Sequence, residues 1–194
     1  MQEVFYEESA YLINPKPAAF KYNIIKLLSI LSYIALGVWL FLVIFYEFGQ
    51  GNILLQVIFL LIPAALFFVS GFFLGRLKNK FYVEYDYTFV SGSLRFSKVI
   101  KNIKRKFIIR FECKDIEKIG KVTSNTFKKY CSMPGISTKI LTSNSEPAEN
   151  KDFYYIVANV DEWKYLLVLE CTEAFMVQIL KYSNKMILEE DYKK

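Results

Sequence analysis

The chain of 194 residues contains no histidine. Imidazole-based catalytic triads, imidazole metal sites and switches near neutral pH therefore lose their usual side chain. Cysteine is scarce, odd in number and widely spaced, at Cys113, Cys131 and Cys171. Without a Cys-x-x-Cys pair, a zinc or redox motif is not expected, and the spacing argues against a disulfide framework. With 8 glycines, 5 prolines and no internal period, collagen-like, low-complexity and repeat architectures are excluded. No P-loop, dinucleotide fingerprint, HExxH or GxSxG occurs. The expectation is a protein that is not an enzyme, with no catalytic residue, cofactor or metal.

What is present is apolar and basic. The hydrophobic share is 54%, above the roughly 45–50% of soluble proteins, and the excess lies in two uncharged runs. Residues 27–46 (LLSILSYIALGVWLFLVIFY) and 53–74 (ILLQVIFLLIPAALFFVSGFFL) hold 20 and 22 residues. At about 1.5 Å per residue each reaches roughly 30 Å, the thickness of a bilayer core. The first run follows a segment containing Glu3, Glu7 and Glu8 and exceeds the length of a cleaved signal's apolar region. The joining residues EFGQGN (47–52), with Gly49 and Gly51, suit a tight reversal, so the runs read as an antiparallel helical hairpin. Pro63 lies inside the second run and is tolerated where neighbours re-satisfy the freed carbonyl.

Basic residues set the orientation. Lys16, Lys21 and Lys26 precede the first run, Arg76, Lys78 and Lys80 follow the second, and the joining loop carries only Glu47. The positive-inside rule then places both termini in the cytoplasm of a two-span protein of the inner (plasma) membrane. Tyr22, Phe45, Tyr46, Phe48, Phe81 and Tyr82 lie where interfacial aromatic belts are expected. The runs lack the intramembrane acids of a transport pathway, which leaves an anchor or a subunit of a larger assembly.

The organisation read from this is a cytoplasmic juxtamembrane segment (1–22), a two-helix transmembrane hairpin (23–75) and a cytoplasmic β domain (76–194). In 81–90, Phe81, Val83, Tyr85, Tyr87 and Phe89 alternate with Glu84, Asp86 and Thr88, a half-buried strand whose acids form a polar outer face. Ser91-Gly92-Ser93 marks a turn. LRFSKVI (94–100), FIIRFEC (107–113) and DIEKIGKV (115–122) read as strands, with KNIKRK (101–106) a basic turn. Short strands are expected near 127–132 and 137–142, and a loop at 143–151. FYYIVANV (153–160) and KYLLVLEC (164–171) make a hairpin around 161–163. Thr172 caps a helix over 172–189, with Phe175, Met176, Ile179, Leu180, Met186 and Ile187 at helical spacing and Lys181 and Lys185 opposite. Glu189, Glu190 and Asp191, followed by Lys193 and Lys194, read as a frayed terminus. Residues 1–20 suit a short interfacial helix before Pro15 and Pro17, or a segment packed on the β domain; packing near the membrane is favoured.

About seven antiparallel strands followed by one amphipathic helix give an α+β membrane protein. Its β domain is read as an antiparallel barrel or sandwich closed by a C-terminal helix, similar to a bacterial pleckstrin-homology-like (PH-like) fold. The order of EVFYEE, two spans, EYDYTFVSGSLRFSKVIKNIKRKFIIRF and VLECTEAFMVQILKYSNK resembles a family of small two-span bacterial membrane proteins of uncharacterised function. That resemblance implies location and fold and carries over no catalytic residue.

Between Arg95 and Lys129 twelve Lys and Arg face three acids, Glu112, Asp115 and Glu117. Lys98, Lys101, Lys104, Arg105 and Lys106 are the candidates for contact with lipid or another anion. Each basic group near an anionic leaflet is worth about 1 kcal/mol within a Debye length. Solvation of a soluble face explains the same charge without a ligand. Phe96 and Phe107 stand nearby without a recognition motif, so nucleic acid is not expected. The functional expectation is a membrane-anchored, non-enzymatic binding or scaffold protein. Its partners would be the bilayer, anionic head groups or another membrane protein. The alternative is a structural subunit of a larger transporter or envelope complex.

Overall fold

A computed structural model of the chain describes residues 4–45, 52–183 and 186–189. Glu3, Tyr46, Glu47, Phe48, Gly49, Gly51, Lys185 and the 190–194 tail lie outside the described residues. The chain divides into two compact units, residues 14–82 and residues 1–13 with 83–194.

The first unit is a helix pair, α1 (Pro15–Ile44) and α2 (Ile53–Leu77), both long and apolar enough to cross a membrane. α1 starts well before the uncharged run, because Pro15 and Pro17 occupy the first turn, where a missing N–H costs nothing. Asn52 caps α2 by accepting the Leu54 N–H at 3.1 Å. The helices meet through small residues. The Ser29 hydroxyl donates to the Gly71 carbonyl at 2.8 Å, and a Cβ at Gly71 would come within 3.0 Å of the Tyr33 ring. Close approach through small residues and an interhelical hydrogen bond is how apolar helices associate where burial in lipid supplies no drive. Near Pro63, the Trp39 indole donates to the Leu60 carbonyl at 3.2 Å.

The second unit is a sandwich of two four-stranded sheets that do not close into a barrel. In the first sheet the order is β1 (Phe5–Ala10), β2 (Val83–Val90), β3 (Ser93–Ile100) and β4 (Lys104–Glu112), all antiparallel. The N-terminal segment is thus the edge strand of the β unit, not an interfacial helix. Its partner lies some eighty residues on, with Phe5 opposite Val90 and Ala10 opposite Tyr85. The second sheet runs β5 (Ile116–Lys121), β7 (Asp152–Val160), β8 (Trp163–Cys171) and β6 (Ile136–Ile140). β6 lies parallel to β8, so this sheet is mixed.

Residues 125–132 are a helix, α3 (Asn125–Ser132), where a strand was expected. The Ser124 hydroxyl accepts the Phe127 N–H at 3.1 Å, and Phe127 and Tyr130, three apart on one helix face, rest on Tyr155. α3 covers the outer face of the second sheet, over Tyr155, Val157 and Leu166. The main core lies between the sheets: Tyr87, Phe89, Leu94, Phe96 and Phe111 meet Ile119, Ile156, Leu167 and Leu169. α4 (Glu173–Tyr182), capped by Thr172, adds Phe175, Met176 and Ile179 to that core.

α4 ends at Tyr182, seven residues before the expected limit. Ile187 is buried all the same, because residues 187–189 run extended along β5. The Ile119 N–H donates to the Ile187 carbonyl at 2.8 Å and the Glu189 N–H to the Ile119 carbonyl at 2.9 Å. Glu189 is not frayed. Its buried carboxylate accepts the Lys121 N–H and the Tyr155 hydroxyl, each at 2.8 Å. It lies over Gly120, where a Cβ would come within 2.1 Å of it. A side chain at 120 therefore excludes this arrangement.

Candidate functional site

The five basic candidates fall on one hairpin but do not share one face. Lys101 and Asn102 have φ of 48° and 54°, and the Ile103 N–H donates to the Ile100 carbonyl at 3.1 Å. Two consecutive left-handed residues match the twist of the flanking strands. The turn is therefore only 101–103, and Lys104, Arg105 and Lys106 belong to β4 rather than to a six-residue basic turn. Lys104 pairs with Ile100, Arg105 with Val99 and Lys106 with Lys98. Alternation puts Arg105 on one face of the sheet and Lys98 and Lys106 on the other. Lys101 and Lys104 stand at the tip.

Cations sit opposite cations twice on this ribbon, Lys98 against Lys106 and Arg95 against Arg110. Directly opposed like charges destabilise a sheet. Arg95 lies over the exposed Phe107 ring at 5.7 Å, and Arg110 donates to the Ser93 hydroxyl at 2.9 Å. β4 is also an edge of its sheet, and charge on an edge strand deters pairing with other chains.

Arg105 has a partner. Its Nε lies 3.1 Å from Asp86 Oδ2, and Asp86 Oδ1 accepts the Ser9 hydroxyl at 2.7 Å. Arg105 is mostly exposed while Asp86 is buried. Glu84, two residues back, is buried too. The acids of β2 are therefore not a solvated outer face, as the period-two pattern had implied. Burial raises the Glu84 carboxyl above the ordinary carboxylate range; the Leu12 N–H opposes this and the Asp86 charge adds to it. Nearby, Glu8 is closed in by Lys151 at 3.2 Å and by the Thr172 N–H and hydroxyl at 2.9 and 3.0 Å. These groups border an open depression of about 530 Å³ lined by Glu7, Glu8, Arg105, Lys151 and neighbours. Its Glu8 and Lys151 pair with each other, and its Arg105 pairs with Asp86.

A further buried acid escaped the sequence reading. Glu170 is fully buried near the end of β8. Its carboxylate accepts from the Thr142 hydroxyl, from Asn144 Nδ2 at 2.8 and 3.0 Å, and from the Ala148 N–H at 3.0 Å. Asn144 also donates to the Tyr11 carbonyl at 2.7 Å and accepts the Ile13 N–H at 3.1 Å. One carboxylate thus fixes the 142–148 loop and the segment leaving β1. The only sequence signal was an acid inside an otherwise apolar strand, VLEC.

The cysteines separate by burial. Cys113 and Cys171 are core residues and Cys131 is exposed on α3. Burial, with Asp115 and Glu112 adding to it, pushes the Cys113 thiol up to about 11; burial raises Cys171 well above its usual range. The thiolate is the nucleophile. Iodoacetamide near neutral pH is therefore expected to modify Cys131 alone in the folded chain. Peptide mass spectrometry showing equal modification at 113 or 171 would contradict the packing described.

A family model described as a bacterial PH-like domain (DUF6106) matches residues 3–189, and the chain belongs to that family. No curated protein and no solved structure gives a match.

Proposed function

We propose that this member of the bacterial PH-like family is a membrane-anchored, non-enzymatic binding module. Its two helices cross the inner membrane with both termini in the cytoplasm. Its β domain meets the cytoplasmic leaflet, or an acidic surface of another membrane protein, through the β3–β4 hairpin. The observation that carries this reading is the strand register. Val83, the first residue of β2, pairs with Ile100 at the hairpin turn, and Ala10, the last of β1, pairs with Tyr85. Both connections to the apolar helices therefore leave the sheet at the end that bears Lys101 and Lys104. Residues 78–82 join α2 to β2, and six Cα steps of about 3.8 Å bound that distance at roughly 23 Å. On so short a tether the hairpin can reach the leaflet, where an attraction of about 1 kcal/mol per basic group acts within a Debye length.

The test is gentle crosslinking in the native membrane, purification of the full chain in mild detergent, and mass spectrometry of what accompanies it. Enrichment of anionic lipid, or of a membrane protein linked through residues 98–106, is the expected result. A stoichiometric polytopic partner linked only through the apolar helices would replace this reading with that of a structural subunit.

A further inference from the structure

We propose that the tip of the β3–β4 hairpin is a wedge that inserts Ile103 into the interface of the anionic leaflet, with Lys101 and Lys104 on the surrounding head-group phosphates. The inference rests on the binding reading above and names the lipid surface as the partner. Ile103 is 82% exposed. The left-handed turn at Lys101 and Asn102 holds it outward at the extreme of the hairpin, where no described side chain of the β unit covers it. Tyr11 and Ile13 are also exposed. They follow Ala10 and so leave β1 toward the same end of the sheet.

Three uncovered apolar side chains and two lysines are thus gathered at the end of the sheet that joins the apolar helices. This mixture suits a bilayer interface. Apolar groups enter the boundary between head groups and acyl chains, and lysines reach back to the phosphates with their stems along the apolar layer. Burying most of an isoleucine favours the inserted state by roughly tenfold or more, by the usual area scale. An acidic protein surface would satisfy the lysines but would need a matching pocket for a single isoleucine, whereas a bilayer accepts it without one.

The experiment uses the full chain in nanodiscs of phosphatidylglycerol and phosphatidylcholine. In a Cys131→Ser background, an environment-sensitive dye is attached at Ile103→Cys, and in a control at Ser137→Cys on β6. Both native sites are exposed, so neither change disturbs the core. Emission at 103 is expected to shift to the blue and to be quenched by nitroxides on the lipid acyl chains, while emission at 137 is unaffected. Quenching at 103 by head-group nitroxides alone would overturn insertion and leave the binding reading standing. A dye at 103 that neither nitroxide quenches would overturn insertion and count against lipid as the partner, leaving only the protein arm of the reading above.

Discussion

Glu170→Ala is expected to cost the β unit about 3–4 kcal/mol of stability. A hydrogen bond to a charged group contributes about 1.5–3 kcal/mol, and stranding its buried donors adds a penalty; the terms are not additive. The Glu170 carboxylate holds Thr142, Asn144 and the Ala148 N–H, and through Asn144 the backbone at Tyr11 and Ile13. Its loss loosens two segments far apart in sequence. Glu170→Gln keeps the shape and one acceptor oxygen, so it is expected to lose about half as much. Denaturant unfolding of the full chain in micelles, followed through Trp163, measures both. A loss below about 1 kcal/mol for the alanine variant would mean that the loop is held by other contacts.

Replacing Lys101, Lys104 and Lys106 together by glutamine is expected to reduce docking of the β unit on an anionic membrane by roughly a hundredfold. This follows from about 1 kcal/mol for each basic group near the surface. Arg105 is left in place because it compensates buried Asp86, and removing it would confound docking with stability. The same change should slightly strengthen the fold. Lys106 stands directly opposite Lys98, and relieving such a pair returns about 0.2–1 kcal/mol. Weaker docking with an unchanged or firmer fold separates a binding surface from a structural one. Energy transfer from a dye on Cys131 to head-group acceptors in nanodiscs reads the docking. Wild-type transfer should fall as salt rises past the point where the Debye length is about 8 Å. If the lysines serve only to keep the β4 edge from pairing, the variant would aggregate while its transfer stayed the same.

The parts of this fold that were legible in the sequence are those whose signal is local. The two uncharged runs, the alternation in 81–90, the apolar run 153–160, the Ser91-Gly92 turn and the Thr172 cap each mark an element through neighbouring residues, although α1 begins twelve residues before its run. The errors arose where distant partners decide. Residues 5–10 become a strand because β2 offers an edge, and nothing within six residues says so. Ile187 continues a helical period, yet it is buried because residues 187–189 pair with β5, where Gly120 leaves room for the Glu189 carboxylate. Phe127 and Tyr130 fit a short strand or a helix equally well until Ser124 is seen to cap.

The same distinction governs the candidate site. The charge of residues 98–106 is plain from composition. The turn residues and the strand register decide which of those charges share a face, and Asp86 removes Arg105 from the group. Glu84 and Asp86 looked solvent-facing because alternation assigns a face and says nothing of what covers it, and Glu170 sits in an apolar strand with no alternation to assign it a face.

The most direct test of the account is hydrogen exchange of residues 98–107 in the full chain, in nanodiscs with and without anionic lipid, at low and high salt. The account predicts slowed exchange at the turn amides, 101–104, only with anionic lipid, with the protection lost at high salt. Exchange that is the same in every lipid and at every salt concentration would contradict it.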